Sequence, residues 1–486
     1  MMDQLVAYKP KLDLWAHQRE ALAKLLEKKN FALFMEMRTG KTATVLCEFG
    51  YLEAHGQLSD MLVIAPAGVY GVWADDIKKH FSEDLLRRAK VHVWRAGATK
   101  DERDDLRMFM MSRAPRILLM NVEALSMVKR ARDLCLEFAD QRKPMIVVDE
   151  STVIKNIEAK RTKFIVNTLT PKASRRRILT GLPSPQSPLD LFSQFWFLDP
   201  AIIGFPSFVG FKRRYAVIQR KPFGPRGRYI DVVVGYQNTE ELAKRVAPNS
   251  FRKKLSECYD LPPKIYTKRE VEMTEEQKRI YGQMKNFATA KLDETQHVTA
   301  TIVITQMLRL HQILCGHTKS EDGFEVEISE NRTKELLEVL DQHDRKAIIW
   351  TSYDADVKKL TKAIGERYGV DSVARFWGGN LESRDAEEVK FKTNPECRFM
   401  IGTPQAGGRG RDWSVADLVI YYSNTTNLEH RVQSEDRAHV YGKANQVLYV
   451  DLMCPGTVEE KIVAALRDKI DLATIVTGDD YREWLI

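Results

Sequence analysis

The residues best suited to chemistry form the stretch Met37-Arg38-Thr39-Gly40-Lys41-Thr42, which follows the apolar run 31–35. Backbone N–H groups of such a turn, with the N-terminus of the next helix, can cradle phosphate groups. Lys41 would then reach the outer phosphates, and the Thr42 hydroxyl would hold Mg²⁺. The pattern predicts a nucleotide-binding P-loop, although Met35 stands where such a loop usually begins with glycine. An ordinary helix start capped by Thr39 is the alternative.

A pair of acids, Asp149 and Glu150, follows the apolar run 145–148. Two carboxylates at the end of a buried strand are costly unless a cation lies beside them. Asp149 would coordinate Mg²⁺, directly or through water, and Glu150 would orient and deprotonate an attacking water. The alternative is an acid pair that caps a helix in a loop. A strand before the pair and a Gly-Lys-Thr turn upstream favour the catalytic interpretation.

The elements that must position these residues are indicated by short apolar runs, typical of buried parallel strands. The runs lie at 31–37, 61–65, 116–120, 145–148 and 177–179, and again at 347–350, 399–401, 418–422 and 447–452. The intervening stretches are long enough for crossover helices. We therefore predict an α/β fold with two doubly wound parallel-sheet lobes, 1–200 and 326–486. Two such lobes can form a cleft that closes on a nucleotide.

Residues 201–325 have a different character and are predicted to form a basic, mainly helical insert. Proline and glycine at 222–227 indicate a hairpin tip, followed by a returning strand at 229–234 and helical sequence at 274–314. The segment 211–229 carries seven cations and no acid: Lys212, Arg213, Arg214, Arg220, Lys221, Arg226 and Arg228. With the clusters 175–177 and 252–254, this favours contact with nucleic acid backbone over a merely solvated face.

The composition excludes several classes of protein. The 486 residues are 44% hydrophobic and 29% charged with a net charge of +8, which is typical of a globular protein with sizeable cores and agrees with a polyanionic partner. No apolar run approaches the roughly 20 residues that span a bilayer, and the N-terminal residues lack a signal-peptide core. The six cysteines are scattered, which argues against a zinc site or disulfides. We expect a cytoplasmic protein, or one in the host cytoplasm if it is viral.

From Trp15 to the C-terminus the sequence resembles superfamily-two helicase-type ATPases of the Swi/Snf class, which are double-stranded DNA translocases. The resemblance rests on ordered motifs in both halves of the chain. They are Leu14-Trp15-Ala16-His17-Gln18, Leu62-Val63-Ile64-Ala65-Pro66 with Trp73, Asp149-Glu150-Ser151-Thr152-Val153-Ile154-Lys155-Asn156, Leu179-Thr180-Gly181-Leu182-Pro183, Leu261-Pro262-Pro263-Lys264, Met273-Thr274-Glu275-Glu276-Gln277, Gly402-Thr403 through Gly407-Gly408-Arg409-Gly410-Arg411-Asp412, Gln433-Ser434-Glu435-Asp436-Arg437-Ala438-His439 and Gly456-Thr457-Val458-Glu459-Glu460-Lys461-Ile462.

The resemblance implies two RecA-like lobes and assigns roles to individual positions. Gln18 would read adenine, and Gly410 and Asp412 would contact the nucleotide. Thr180 and Gln433 would couple hydrolysis to DNA contact. Arg437 would be an arginine finger that stabilises charge on the transferred phosphate. Candidate DNA contacts lie in both lobes and in the insert. They are Pro66, Lys155, Arg213, Arg214, Arg226, Arg228 and Thr403.

Three positions depart from the motifs of the family. Arg38 replaces a glycine of the P-loop and adds a cation beside the phosphates. Thr152 replaces the histidine of the Asp-Glu-Ala-His element. Val440 replaces a second arginine, so that Arg437 would act alone or with help from Lys443 or Arg409. The departure at Val440 would affect the rate of hydrolysis and not nucleotide binding.

The sequence therefore predicts an ATP-dependent DNA translocase that binds ATP and Mg²⁺ between its lobes and moves along duplex DNA as a monomer. One alternative is an unwinding, annealing or branch-migrating helicase, for which the hairpin at 220–228 is the candidate wedge. Another alternative is a nucleotide-gated DNA-binding module with little turnover. The absence of recognisable accessory modules favours a compact protein of a bacterium or phage.

Overall fold

The computed structural model describes residues 8–67, 69–97, 99–223, 228–259, 262–294, 300–319, 325–407, 411–443 and 445–477. The chain divides into two compact units. The first contains Met1–Ala216 and Tyr236–Asp260, and the second contains Val217–Gly235 and Leu261–Thr474. The proposed functional boundaries at 200 and 325 stay predictions.

The first unit is built around a parallel sheet. Its strands up to residue 179 are β1 Asn30–Met35, β2 Asp60–Ala65, β3 Lys90–Val93, β4 Arg116–Asn121, β5 Met145–Asp149 and β6 Arg175–Leu179. Its helices up to residue 215 are α1 Ala16–Glu27, α2 Lys41–Ala54, α3 Tyr70–His80, α4 Glu83–Arg88, α5 Lys100–Met111, α6 Ala124–Met127, α7 Lys129–Arg142, α8 Lys160–Lys163, α9 Leu191–Leu198, α10 Pro200–Ile203 and α11 Phe208–Tyr215.

The following segment contributes a two-stranded sheet of β7 Ala216–Phe223 and β8 Arg228–Tyr236, then α12 Thr239–Val246 and β9 Ser250–Lys253. Strand β9 completes the first sheet, whose order is β3-β4-β2-β5-β6-β1-β9. Neighbouring strands pair in parallel throughout, for example with Leu33 opposite Leu179 and Phe251. The central strands are buried along their whole length, which explains their unalternated apolar sequences.

The second unit contains another parallel sheet. Its elements are β10 Lys264–Glu270, α13 Glu275–Glu294, α14 Ala300–Leu314, β11 His317–Lys319, β12 Glu325–Glu327, α15 Arg332–Asp341, β13 Ala347–Trp350, α16 Asp354–Tyr368, β14 Val373–Phe376, α17 Arg384–Thr393, β15 Phe399–Gly402, α18 Pro404–Gly407, β16 Leu418–Tyr421, α19 Leu428–Glu435, β17 Val447–Met453 and α20 Val458–Thr477. The main sheet has the order β10-β17-β16-β13-β15-β14, and β11 pairs with β12 in antiparallel orientation.

The two parallel sheets with their helices confirm the predicted α/β fold. The helical sequence at 274–314 forms α13 and α14, and Thr274 caps α13 by accepting the Gln277 N–H at 3.1 Å. The insert is less purely helical than predicted, because it supplies β9 to the first sheet and β10 to the second.

One basic cluster has a structural role that the sequence analysis did not foresee. Residues 175–177 form strand β6, and the fully buried Arg177 guanidinium forms an ion pair with Glu48 at 2.5 Å. Arg177 also donates hydrogen bonds to the carbonyl oxygens of Leu25, in the last turn of α1, and Lys28, just after that helix. The prediction of nucleic acid contact for this cluster is therefore wrong for Arg177.

None of the helices in the described part of the chain combines the length and apolar character needed to cross a membrane.

Candidate active site

The P-loop turn joins the end of β1 to the start of α2. Gly40 has the left-handed backbone torsion φ +85°, and a Cβ there would lie 2.0 Å from the Gln18 side-chain nitrogen. Glycine is therefore required at this position for both conformation and space. Arg38 also has a positive φ, +65°, although it carries a side chain. The departure from glycine at Arg38 thus stores local backbone strain.

Lys41 lies over this turn, and only 9% of it is exposed to solvent. Its ammonium group donates hydrogen bonds to the carbonyl oxygens of Met35 at 2.8 Å and Glu36 at 3.0 Å. The half-buried Thr42 follows in the first turn of α2. A cation at the N-terminus of a 14-residue helix, beside a glycine turn, is a suitable setting for phosphate oxygens.

Gln18 contacts the P-loop from α1. Its amide nitrogen donates to the Thr39 carbonyl at 3.1 Å, and its amide oxygen accepts the Trp15 backbone N–H at 2.9 Å. The His17 ring nitrogen lies 2.8 Å from the same Thr39 carbonyl. Because a carboxamide has a second donor hydrogen and a second lone pair, Gln18 can support the loop and still contact a base. Its role as the adenine reader stays a prediction.

The two acids lie at the end of β5, whose last residue is Asp149, and are almost completely buried, with 5% of Asp149 and 7% of Glu150 exposed. The Trp73 indole N–H donates to one Asp149 carboxylate oxygen at 2.7 Å, and the Glu150 backbone N–H donates to the other at 2.9 Å. Glu150 adopts a left-handed backbone with φ +47°. Strain of this kind in a non-glycine residue is concentrated at functional sites. We call residues 149–155 the acid loop.

Strand β6 lies between β5 and β1, so the acid loop and the P-loop leave the same carboxyl edge about 10 Å apart. Thr180 follows β6 and occupies the gap, where its backbone N–H donates to the Leu33 carbonyl at 3.1 Å. A Cβ on Gly181 would touch the Glu36 backbone at 3.4 Å. Residues 180–184, which we call the coupling loop, therefore lie against the P-loop. This arrangement suits the coupling role predicted for Thr180.

In the second unit, Gln433 and Arg437 lie on and just beyond α19 and are buried. The Gln433 amide donates to Glu429 at 3.3 Å. Arg437 is only 1% exposed, and its guanidinium donates to the carbonyl oxygens of Gln433 at 3.0 Å and Arg411 at 2.5 Å. These contacts hold Arg437 within its own unit, and its role as an arginine finger stays a prediction.

Lys443, the suggested helper of Arg437, is held by Asp417 at 2.8 Å and by the carbonyl oxygens of Ser414 and Ala416. Thr403 follows β15 and is half-buried, and the exposed Asp412 accepts the Ser414 N–H at 3.0 Å. The predicted residues Gly410 and Arg409 lie outside the described residues.

The candidate DNA contacts fall in several places. Pro66 follows β2 and is buried, and Lys155 is half-buried at the end of the acid loop. Arg213 and Arg214 are exposed on α11, and Arg214 forms an ion pair with Glu241 that raises the pKa of the arginine.

Two further candidates belong to the hairpin. Arg226 lies outside the described residues, and Arg228 begins β8. Nearby, the Arg220 guanidinium stacks over the Tyr229 ring at 4.9 Å. The DNA contacts stay predictions.

Three buried residues of the site, Trp73, Ser151 and Gln194, have no role that the sequence alone indicates. Trp73 belongs to a quoted motif, but its partner Asp149 is 76 positions away. Ser151 lies 43 positions from Gln194, with which it shares a buried hydrogen bond. No local sequence pattern predicts such pairs, because only the parallel order of the strands brings their two partners together.

Two families of known proteins match this chain. Residues 17–319 match the family described as SNF2-related domain, and residues 331–442 match the helicase conserved C-terminal domain. The first match spans more than half of the chain, and the chain belongs to the SNF2-related family.

Two curated relatives illustrate the similarity. An uncharacterized ATP-dependent helicase of Mycoplasma genitalium is 25% identical over 452 residues, which cover 92% of this chain and 40% of the relative. The putative ATP-dependent helicase/translocase YwqA of Bacillus subtilis is 24% identical over 454 residues, which cover 89% of this chain and 45% of the relative. The chain thus spans less than half the length of these relatives.

The solved SWI2/SNF2 ATPase core of Sulfolobus solfataricus in complex with double-stranded DNA covers 98% of this chain, and the match covers 95% of that structure. Its sequence identity is 24% and its TM-score is 0.42.

Proposed function

We propose that the protein is a DNA-dependent ATPase that uses ATP hydrolysis to move along duplex DNA and remodel DNA or DNA-bound protein. The observation that carries this proposal is the carboxyl edge of the first sheet. There the P-loop with Lys41 and the acid loop with Asp149 and Glu150 flank the coupling loop. Membership of the SNF2-related family supports the same activity.

The residues of this edge fit a nucleotide phosphate chain with Mg²⁺. The left-handed Gly40 opens a cradle in front of α2, and Lys41 supplies the positive charge. The Thr42 hydroxyl and the Asp149 carboxylate are the oxygen ligands that Mg²⁺ prefers beside phosphates. Bound Mg²⁺ would neutralise charge on the phosphate oxygens. The Lys41 ammonium, now on two backbone carbonyls, exchanges these contacts for phosphate oxygens.

Hydrolysis assigns a different task to each acid. Glu150 orients the attacking water toward the terminal phosphate and accepts a proton from that water. Asp149 accepts hydrogen bonds from the Trp73 indole N–H and the Glu150 backbone N–H, one on each carboxylate oxygen. Hydrogen bonds to both oxygens fix the orientation of the carboxylate.

Double-stranded DNA is the proposed polyanionic partner. The net charge of +8 and the exposed cations of the insert support contacts to phosphates, which position a protein without reading sequence. Movement along the duplex follows when hydrolysis at the P-loop changes the coupling loop. We propose that the protein acts in the cytoplasm as a monomer, which sedimentation at micromolar concentration would test.

The decisive experiment measures ATP hydrolysis with and without duplex DNA. We expect duplex DNA to raise turnover at least tenfold in the wild-type protein. Lys41→Ala and Glu150→Gln should abolish both rates, and Glu20→Gln, on the exposed face of α1, should retain them. A wild-type rate that DNA leaves unchanged would favour the alternative of a nucleotide-gated binding module.

A second pair of assays separates translocation from unwinding. Displacement of a third strand from a triplex, without opening of a fluorescent duplex, supports translocation alone. Duplex opening would instead support a helicase, with the hairpin at 220–228 as the candidate wedge. Deleting residues 222–227 should abolish opening in that case.

A further inference from the structure

Two loops of the first unit, the acid loop and the coupling loop, are joined by one buried side chain. Gln194, on α9, is fully buried and accepts a hydrogen bond from the Ser151 hydroxyl at 2.6 Å. Its amide nitrogen donates to the Pro183 carbonyl at 2.7 Å and to the Asp190 carbonyl at 2.8 Å. A single carboxamide thus bonds to the residue after Glu150 and to the coupling loop.

This amide has little freedom to change partners. Both of its donor hydrogens are used, and its oxygen is bonded to a hydroxyl that is itself fully buried. No water can replace a lost partner cheaply in such a place, so that movement of Pro183 or Ser151 strains the whole set of bonds. The two loops are therefore expected to move together.

Neighbouring contacts reinforce the same connection. The Ser193 hydroxyl lies 2.5 Å from the Ile154 carbonyl oxygen and 2.9 Å from that of Lys155, at the far end of the acid loop. Asp190 accepts the backbone N–H groups of Gln186 at 2.9 Å and Ser187 at 3.3 Å. Ser193 therefore holds the acid loop independently of Gln194, and Asp190, just before α9, holds the segment that follows the coupling loop.

The chemistry of the positions indicates more than packing. Ser151 stands where the family's acid element has alanine, so that this chain adds a hydroxyl beside its water-activating glutamate. The next residue, Thr152, replaces the family's histidine. A polar pair here costs desolvation that an apolar pair would avoid.

We propose that Gln194 is a positioning residue that transmits changes between the coupling loop and the acid loop, through Ser151. This inference rests on the proposed function. DNA contact that shifts the coupling loop at Pro183 would move the Gln194 amide and thereby re-aim Glu150. Nucleotide binding at the acid loop would be transmitted in the opposite direction, because coupling is reciprocal.

The test uses Ser151→Ala, Gln194→Leu and the double variant that carries both changes. Each is compared with Phe197→Leu. Phe197 is a fully buried residue of the same helix and provides a packing control. Replacing both polar partners removes the unpaired hydroxyl that Gln194→Leu leaves behind, so the double variant should regain part of the stability lost by Gln194→Leu. If Gln194 acts only in packing, the function of the double variant should recover with its stability.

We expect stimulation of turnover by duplex DNA to fall about tenfold in Gln194→Leu and to stay low in the double variant. The affinity for a fluorescent ADP analogue should change by less than about twofold in both. Phe197→Leu should keep its DNA stimulation. Retained stimulation in the double variant, while the wild type is stimulated, would overturn the inference and leave the proposed function intact.

Amide hydrogen exchange tests the connection without DNA or turnover. ADP should slow exchange at Ser184, Gln186 and Ser187 in the wild type and in Phe197→Leu. In the double variant this protection should be lost, although the acid loop stays protected. Equal protection in all of these proteins would refute transmission through Gln194, whatever DNA does to the ATPase.

Discussion

The two units hold their motif charges in different ways. In the first unit, Lys41 and Asp149 lie at loop ends and are held by backbone carbonyls, a backbone N–H and an indole N–H. In the second, the motif residue Glu435 forms an ion pair with Arg431, which stacks on Tyr421 at 3.5 Å and also pairs with Asp451. Lys41, on neutral carbonyl oxygens, can take a charged partner, whereas the Glu435 carboxylate is already paired with a cation of its own unit.

Arg332 and Glu459 show the same property of the second unit. They form a buried ion pair at 2.6 Å, and Glu459 also lies 3.2 Å from the His311 ring. A motif match in this unit therefore identifies residues that hold the fold as well as residues that could act on a ligand.

The largest effect is expected at Glu150. Glu150→Gln keeps the shape of the side chain but removes the base, so that kcat for ATP should fall about 10³-fold while nucleotide affinity changes little. A coupled assay of phosphate release measures kcat, and Glu20→Gln serves as the control. A loss of less than tenfold would show that another group accepts the proton.

Glu459 should affect stability and its pH dependence. Burial alone raises the pKa of its carboxyl, but Arg332 and His311 outweigh burial and lower the pKa to about 2 from 4.5. The carboxylate therefore contributes stability above about pH 4.5, and this contribution is lost as the pH falls toward 2. Glu459→Gln should reduce the free energy of unfolding by about 3 kcal/mol at pH 7.

Urea denaturation between pH 7 and pH 3 measures that effect. The difference between wild type and Glu459→Gln should shrink as the pH falls. A difference that is constant over this range would show that the loss comes from packing rather than from the charge of Glu459.

Arg437 should behave as a structural residue of the second unit. Arg437→Lys replaces a forked guanidinium by a single ammonium that cannot serve both the Gln433 and Arg411 carbonyls. We expect about 2 kcal/mol less stability toward urea. If stability is unchanged while kcat falls, Arg437 acts mainly on the phosphate.

Trp73 should tune the metal affinity of the first unit. Trp73→Phe removes the N–H that orients Asp149, and loss of such an outer hydrogen bond typically weakens metal binding about tenfold. Electron paramagnetic resonance of Mn²⁺ in the presence of ADP measures this affinity. Trp94→Phe, also buried in the first unit, should leave it unchanged. Equal losses in both variants would exclude a specific role for the indole.

The smallest effect is expected at Arg38. Glycine tolerates the torsion of +65°, so that Arg38→Gly should raise stability by about 0.5–1 kcal/mol. Lys143, with φ +46° at the end of α7, is the matched control, and its glycine variant should gain similarly. Calorimetry measures both, and only Arg38→Gly should alter ADP affinity. A loss of stability in Arg38→Gly would mean that its side-chain contacts outweigh the strain.

The strands of the two main sheets that the sequence did not predict share one property. β3, β9, β10 and β14 are the edge strands of the two main sheets. An edge strand buries less of its surface, so its sequence need not be continuously apolar, and β10 reads Lys-Ile-Tyr-Thr-Lys-Arg-Glu. The central strands were predicted because burial on both faces requires an apolar run.

The amino-acid sequence by itself determined the α/β class, the central strands and the loops that carry Lys41, Asp149 and Glu150. These features depend on local composition and on spacing along the chain. Only the tertiary structure decided that Arg177 is a buried ion-pair partner, that Trp73 holds Asp149 and that Gln194 joins two loops. Such roles depend on partners 40 to 130 positions away, which the parallel strand order brings together and no local pattern encodes.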